Sequence, residues 1–184
     1  WSSLISEYLL RGAGGHGSRE FSNAMDRLGG RRSVTADTYF MRISLILAGT
    51  QLLDGLELLS SIVRRPHFEP DALEAVRSLC LQELHGLEDD PSHLSMIRLD
   101  EIRLPPPFHR HGAGVKEHIE KATVDDLADH FCALARPGGS ILALNGDVDH
   151  DAVCSKMESL LEDWTGETPA VEKSGPPVGG ETIV

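Results

Sequence analysis

Residues 1–13, WSSLISEYLLRGA, give the clearest indication of how this chain folds. Apolar side chains recur there at the i, i+3, i+4 spacing of an amphipathic helix, and Gly12 is expected to end that helix. A glycine-rich loop runs on to Gly17, and Ser18 is expected to cap a second helix that stops at the next pair of glycines. The opening of the chain therefore predicts two short helices joined by a tight loop.

After these two helices, segments with the hydrophobic spacing of strands are followed by segments with the spacing of helices. Alternation from 31 to 48 predicts two strands joined near Asp37. Ile141–Leu144 is predicted to be a short buried strand. Further helices are predicted over 51–65, 70–87 and 91–103, from the capping box Thr123-x-x-Asp126 onwards, and over 150–163 behind the cap Asp149. Together these elements indicate an α+β fold. The buried side of the helix over 51–65 is expected to consist of Leu52, Leu53, Leu56, Leu59 and Val63.

The composition is that of a globular chain with an acidic surface. Of 184 residues, 40% are hydrophobic and 25% are charged, and the formal net charge is −12. Such a surface repels phosphate backbones and anionic lipids, so we expect neither nucleic-acid binding nor membrane binding. No apolar run approaches the roughly 18–20 residues of a membrane span. The compartment stays unknown, with a soluble, cytoplasmic protein as the default expectation.

Residue types that bind metals or phosphates elsewhere occur here in unfavourable patterns. His109-x-His111 lacks a third ligand at a suitable spacing, so that loop is expected to bind no metal. The glycine loop over 12–17 follows a helix and lacks the Lys-Ser/Thr pair of a phosphate-binding loop. The cysteines are scattered and are interpreted as small buried apolar residues rather than a disulfide framework: Cys80, Cys132 and Cys154.

An ordered set of local patterns spans residues 1–164. In chain order they are Arg11-Gly12-Ala13, Glu20-Phe21, Leu28-Gly29-Gly30, Arg65-Pro66-x-Phe68, Leu81-Gln82-Glu83, Gly114-x-x-Glu117-x-Ile119, Thr123-x-x-Asp126-Leu127, Asn145-Gly146-Asp147-Val148 and Asp163-Trp164. Together they resemble the pitrilysin/insulinase family of zinc metallopeptidases, especially its mitochondrial processing peptidase-like branch. The resemblance implies a mixed, mainly antiparallel sheet with helices packed on one face. The strands that precede the first helix in that family are expected to be missing here.

Active members of that family carry His-x-x-Glu-His on the first helix, and a glutamate about 76 positions later completes the zinc ligands. Aligned on the Arg-Gly turn, the motif positions of this chain hold Ser3, Ser6 and Glu7, and the third ligand position holds Glu83. Hydroxyl groups neither replace imidazole ligands nor take a proton from water near neutral pH. The resemblance therefore implies no catalytic residue, no metal and no cofactor in this chain. In the simplest structural interpretation, Ser3, Ser6 and Glu7 form one polar edge of a helix, and Glu83 is a carboxylate on a helix surface.

Two alternatives stay open at this point. An active zinc metalloendopeptidase would need atypical ligands, such as Glu7 and Glu83 together with a histidine, for which His16 and His85 are candidates. Zinc would be its cofactor. A pure protein-interaction module with no link to proteolysis is the second alternative.

The leading hypothesis follows from how the family is built. Its members bring related domains together around a chamber that holds an unfolded peptide, and one domain of each set carries the zinc. We therefore expect residues 1–164 to be a non-catalytic peptidase-like domain. It would pair with a homologous domain in the same chain or in a homo- or hetero-oligomer, and it would bind unfolded peptides. The Gly/Pro-rich residues 165–184 are interpreted as a linker to a following domain.

Overall fold

Eight α-helices and two β-strands make up most of the chain that the structure describes. The computed structural model describes residues 1–37, 39–105 and 108–170, and within these ranges no helix is long and apolar enough to cross a membrane. The elements, in chain order, are α1 (Ser2–Leu9), α2 (Ser18–Arg27), β1 (Arg31–Ala36), β2 (Met41–Ile46), α3 (Leu52–Arg64), α4 (Leu73–Gly86), α5 (Pro91–Arg103), α6 (Lys116–Lys121), α7 (Val124–Leu134) and α8 (His150–Leu161). The predicted α+β class is confirmed, with helices dominating a small antiparallel sheet.

Helix starts are set by side chains that accept hydrogen bonds from free backbone N–H groups. The Thr123 hydroxyl accepts from the Asp126 N–H at 3.2 Å, and the Asp126 carboxylate accepts from the Thr123 N–H at 3.2 Å, which completes the predicted capping box of α7. Asp149 accepts from the Ala152 N–H at 3.1 Å and caps α8 as predicted. The prediction for α2 was off by one residue, because Gly17 takes the capping position and Ser18 is already helical.

The β1–β2 hairpin packs against α1 through β1. Its antiparallel register pairs Arg31 with Ile46 and Ala36 with Met41. Alternate residues of β1 are half-buried, as expected for a strand with one face on the core. Arg32 joins β1 to the first two helices. Its guanidinium donates a hydrogen bond to the Leu10 carbonyl at 2.7 Å and lies 5.0 Å from the centre of the Phe21 ring.

The core lies between α1, α2, α4 and α7. α1 is buried on most of its surface, with Leu4, Tyr8 and Leu9 fully enclosed. The Tyr8 ring packs against Phe68 with centroids 5.2 Å apart, and its hydroxyl donates to the Glu69 carbonyl at 3.2 Å. A buried tyrosine whose hydroxyl finds a partner stabilises both the packing and the loop that leads into α4.

Two predictions about apolar segments are wrong. Ile141–Leu144 forms no strand, and Ile141 is 92% exposed, because no described strand lies beside it to cover its side chains. The buried side of α3 is only partly the predicted one: Leu56 is buried as predicted, but Leu53 is exposed, and Leu58 and Ile62 are buried instead. α3 carries leucines around most of its circumference, so periodicity alone does not fix which side faces the core.

Two smaller expectations also differ from the structure. Cys80 is buried, but Cys132 is exposed and Cys154 is half-buried, so the interpretation of all three as core residues was wrong. The short helix α6 was not predicted, and its six residues are too few to show a hydrophobic period.

The chain folds back on itself after α8. The Trp164 indole N–H donates to the Ala135 carbonyl at 3.2 Å, and the Thr168 N–H donates to the Gly138 carbonyl at 3.0 Å. Residues up to 168 therefore contact the turn after α7. The rest of the predicted linker, 171–184, lies outside the described residues.

Candidate functional site

The motif positions of α1 face α4 around a buried thiol. Cys80 lies on α4 with its side chain beside Ser3, and the carboxylates of Glu7 and Glu83 are close enough to act on it electrostatically. Burial raises the pKa of the Cys80 thiol to about 11, the two carboxylates add to the rise, and the Ser3 hydroxyl opposes it. Three of the four predicted positions, Ser3, Glu7 and Glu83, thus act on the same thiol, which is neutral near pH 7.

Ser3 and Ser6 are buried rather than solvated. Each is 8% exposed, and among the described residues neither hydroxyl oxygen has a hydrogen-bond partner of good geometry. The interpretation of these serines as a polar helix edge therefore does not fit, although Glu7 is half-buried and Glu83 is exposed.

The side chains at these positions do not fit zinc. Zinc sites in proteins use three or four thiolate, imidazole or carboxylate ligands. Here the α1 positions supply two buried hydroxyls and one carboxylate, and the neighbouring thiol of Cys80 holds its proton up to about pH 11. Within residues 1–37, 39–105 and 108–170, no group of three or more His, Cys, Asp or Glu side chains could hold a metal ion. No chemical step through a metal can be derived from this arrangement.

The histidines considered as substitute ligands have other neighbours. His85 lies on the surface with its Nδ1 3.3 Å from the Glu88 carboxylate. His16 pairs through its backbone with Ala13, where its carbonyl accepts a hydrogen bond at 3.1 Å. Neither residue belongs to a described cluster with Glu7 and Glu83.

A second candidate site is a cleft of about 640 Å³ at the N-terminal end of α1. The loop before α6 supplies one side of it, and α6 and α7 supply the other. The loop is held against the sheet, because the Tyr39 and Phe108 rings stack with centroids 5.1 Å apart. A β-carbon at Gly112 would come within 2.9 Å of the Ala36 carbonyl oxygen, so this close approach requires glycine. The titratable side chains that line the cleft are Glu101, His109, Arg110, His111, His118, Lys121 and His130.

From the sequence, one part of this cleft was considered, His109-x-His111, and it was expected to bind no metal. The Nδ1 atoms of His109 and His111 are buried, and neither has a hydrogen-bond partner among the described residues. His130 comes from α7, some twenty positions further along the chain, and its ring meets that of Trp1 edge to face at 5.3 Å. No local spacing rule connects these residues, because the packing of separate elements brings them together.

Comparison with solved structures identifies the fold. The inactive domain of a peptidase M16 from Pseudomonas fluorescens superposes with a TM-score of 0.79 at 20% identity, over 95% of this chain and 43% of that chain. A protease from Helicobacter pylori gives a TM-score of 0.79 at 17% identity, over 95% and 42%. The periplasmic protease PqqL from Escherichia coli gives 0.78 at 15% identity, over 95% and 20%.

This is the fold of an M16 peptidase domain. The resemblance to pitrilysin/insulinase-type peptidases is thereby confirmed, while its mitochondrial branch stays a prediction. No family model matches the sequence of this M16-like domain.

Curated relatives of the M16-like domain agree with this result. A non-peptidase homolog, YmxG, from Helicobacter pylori (strain ATCC 700392 / 26695) is 24% identical over 161 residues, which cover 87% of this chain and 37% of the relative. An uncharacterized zinc protease, YmfH, from Bacillus subtilis (strain 168) is 26% identical over 127 residues, which cover 68% of this chain and 30% of the relative. The chain thus spans about a third of the curated relatives that it matches.

Proposed function

We propose that this M16-like domain is non-catalytic, pairs with a homologous sister domain, and forms with it a chamber that binds unfolded peptides. The observation that carries the proposal is the pair of buried hydroxyls, Ser3 and Ser6, at the α1 positions where active members carry a zinc ligand and the general base. A serine hydroxyl is too weak a base to activate water near neutral pH. The proposed domain extends over 1–164, with 165–184 leading to a following domain.

Names of the relatives support the non-catalytic role. The YmxG relative is described as a non-peptidase homolog, and the Pseudomonas fluorescens structure as an inactive domain. The first alternative, an atypical zinc peptidase, draws support from the protease names of the other relatives. The surroundings of Glu7 and Glu83 argue against it, because no group of three or more His, Cys, Asp or Glu side chains in the described part of the chain could hold a metal ion.

Exposed apolar side chains support pairing with a sister domain. Ile141 and Leu142 are exposed and lie outside any helix or strand, and no described residue forms a backbone hydrogen bond with the segment 141–144. Ile46 at the end of β2 is 73% exposed. Unpaired backbone with exposed apolar side chains is a surface that another chain segment or domain can cover. That the domain matches less than half of its structural neighbours is consistent with a sister domain in the same polypeptide.

A peptidase assay tests the catalytic part of the proposal. The purified chain is incubated with a mixture of quenched fluorescent peptides, with and without added zinc, and with a zinc chelator. We expect no cleavage that the chelator abolishes. Chelator-sensitive cleavage that disappears in Glu83→Gln, but persists in the surface control Glu88→Gln, would refute a non-catalytic role and favour the atypical peptidase.

Hydrogen exchange tests the pairing. We compare the amides of residues 141–144 in the domain alone and in a longer polypeptide that includes the candidate sister domain. We expect rapid exchange in the isolated domain and protection of at least about tenfold in the longer protein, since pairing removes these amides from water. Equal exchange in both samples would show that this surface is not the pairing surface.

A further inference from the structure

The cleft at the start of α1 concentrates cationic and protonatable side chains in a strongly acidic chain. The chain has a net charge of −12, yet Arg110 and Lys121 face the cleft and Glu101 is the single carboxylate in its described lining. Four histidines complete the set of titratable side chains: His109, His111, His118 and His130. This local excess of positive charge is opposite in sign to that of the molecule as a whole.

The cations of the cleft lack anionic partners within the described residues. Neither Arg110 nor Lys121 forms an ion pair there, and the Nδ1 atoms of His109 and His111 are buried without a hydrogen-bond partner. Glu101 is already engaged with Arg98 on its own helix. Within the described residues, Arg110 and Lys121 therefore have no carboxylate partner that would compete with a ligand in the cleft.

We propose that this cleft binds acidic segments of peptides, with Arg110, Lys121 and the surrounding histidines holding glutamate or aspartate carboxylates. The inference rests on the proposed peptide-binding role and specifies which peptides the domain prefers. Guanidinium and ammonium groups donate charge-assisted hydrogen bonds to carboxylates, and imidazole N–H groups add further donors.

The shape of the cleft favours a peptide over a metal ion or a polyphosphate. Its volume of about 640 Å³ exceeds what a single ion needs, and it is open to solvent along one side. Apolar Trp1 and Val115 line the same cleft and offer contacts for the side chains next to a carboxylate. No set of three metal-ligating side chains is assembled in the described residues, and the overall negative charge disfavours polyanions such as nucleic acids.

Fluorescence anisotropy with two labelled probes tests the proposal. One probe is a short peptide that alternates glutamate and alanine, and the other has glutamine in place of each glutamate. We expect the acidic probe to bind at least about tenfold more tightly, and high salt to weaken it. The double variant Arg110→Gln/Lys121→Gln should weaken it by about threefold to fivefold per charge removed, whereas the control Arg19→Gln/Arg27→Gln, which removes the same charge from the exposed surface of α2, should change it less than about twofold.

A gain of affinity provides the second arm. Glu101→Gln removes the carboxylate that faces the cleft and should tighten binding of the acidic probe severalfold, a result that a folding defect cannot mimic.

Two other sets of results would overturn the proposal, and they differ in what they imply for peptide binding. Equal binding of both probes, or equal loss in the cleft and control variants, would overturn the preference for acidic peptides and leave peptide binding itself intact. No binding of either probe would overturn both this inference and the peptide-binding part of the proposed function.

Discussion

Arg77 joins α4 to α6, and its removal should destabilise the whole domain. Its Nε donates to the Ile119 carbonyl at 3.1 Å and its Nη2 to the Ala122 carbonyl at 2.9 Å. These carbonyls lie at the C-terminal end of α6, where no intrahelical N–H remains to satisfy them. The guanidinium is 17% exposed and also pairs with Glu74, one turn earlier on α4.

The variant Arg77→Met keeps the side-chain length and removes every donor. A hydrogen bond from a charged donor contributes roughly 1.5–3 kcal/mol, so two such bonds with some solvent access should be worth about 3 kcal/mol. Arg98→Met is the matched control, because Arg98 has a comparable pair with Glu101 on its own helix but is 75% exposed. Its loss should cost no more than about 0.5 kcal/mol.

Urea denaturation followed by circular dichroism measures both variants. We expect the midpoint to fall markedly for Arg77→Met and to stay near the wild-type value for Arg98→Met, with the slope unchanged in each case. Equal midpoints for the two variants would refute the reasoning, because they would show that the backbone hydrogen bonds of Arg77 add nothing to its surface pair.

Further predictions concern the glycine turn, the cysteines and a helix cap. Gly12→Ala should cost about 1–3 kcal/mol in urea denaturation, because its β-carbon would lie 2.9 Å from the His16 carbonyl oxygen, whereas Gly15→Ala meets no atom within 4 Å and should be neutral or slightly stabilising. Alkylation followed by mass spectrometry should label the exposed Cys132 near neutral pH. Cys80 should stay unmodified until the pH approaches about 11, because burial raises the pKa of its thiol. Rapid labelling of Cys80 at neutral pH would contradict its burial. Thr123→Ala should cost about 1 kcal/mol of unfolding free energy through loss of the α7 cap, and an unchanged midpoint would show that Asp126 alone suffices.

Local signals in the sequence were sufficient for most of the helices. Capping residues such as Thr123 and Asp149 form hydrogen bonds within three residues, so their effect on α7 and α8 does not depend on the rest of the fold. The hairpin of β1 and β2 is equally local, because its two strands are joined by a short turn and alternate apolar and polar side chains.

Tertiary context decided the features that sequence reasoning missed. Ile141–Leu144 has the composition of a buried strand, but a strand is stabilised by its neighbours, and none of the described residues pairs with it. α3 is apolar around most of its circumference, and the close approach of Leu47 to Gly55 marks the side that faces the sheet. Neither result can be read from a hydrophobic period.

The two candidate sites also differ in whether the sequence alone could reveal them. Residues Ser3, Ser6, Glu7 and Glu83 were singled out through family resemblance, and three of them influence the pKa of Cys80. The cationic cleft has no sequence motif, because its side chains come from a loop and from helices that are distant along the chain. Only the packing of α6 and α7 against the start of α1 brings these charges together.

Zinc stoichiometry tests the central claim most directly. The purified chain is dialysed with excess zinc, freed of unbound metal, and analysed for zinc per chain by elemental analysis. We predict a ratio well below one, because two buried hydroxyls occupy motif positions and hydroxyls do not replace imidazole as zinc ligands. A tightly held, stoichiometric zinc that is lost in Glu7→Gln or Glu83→Gln would contradict it and restore the peptidase interpretation.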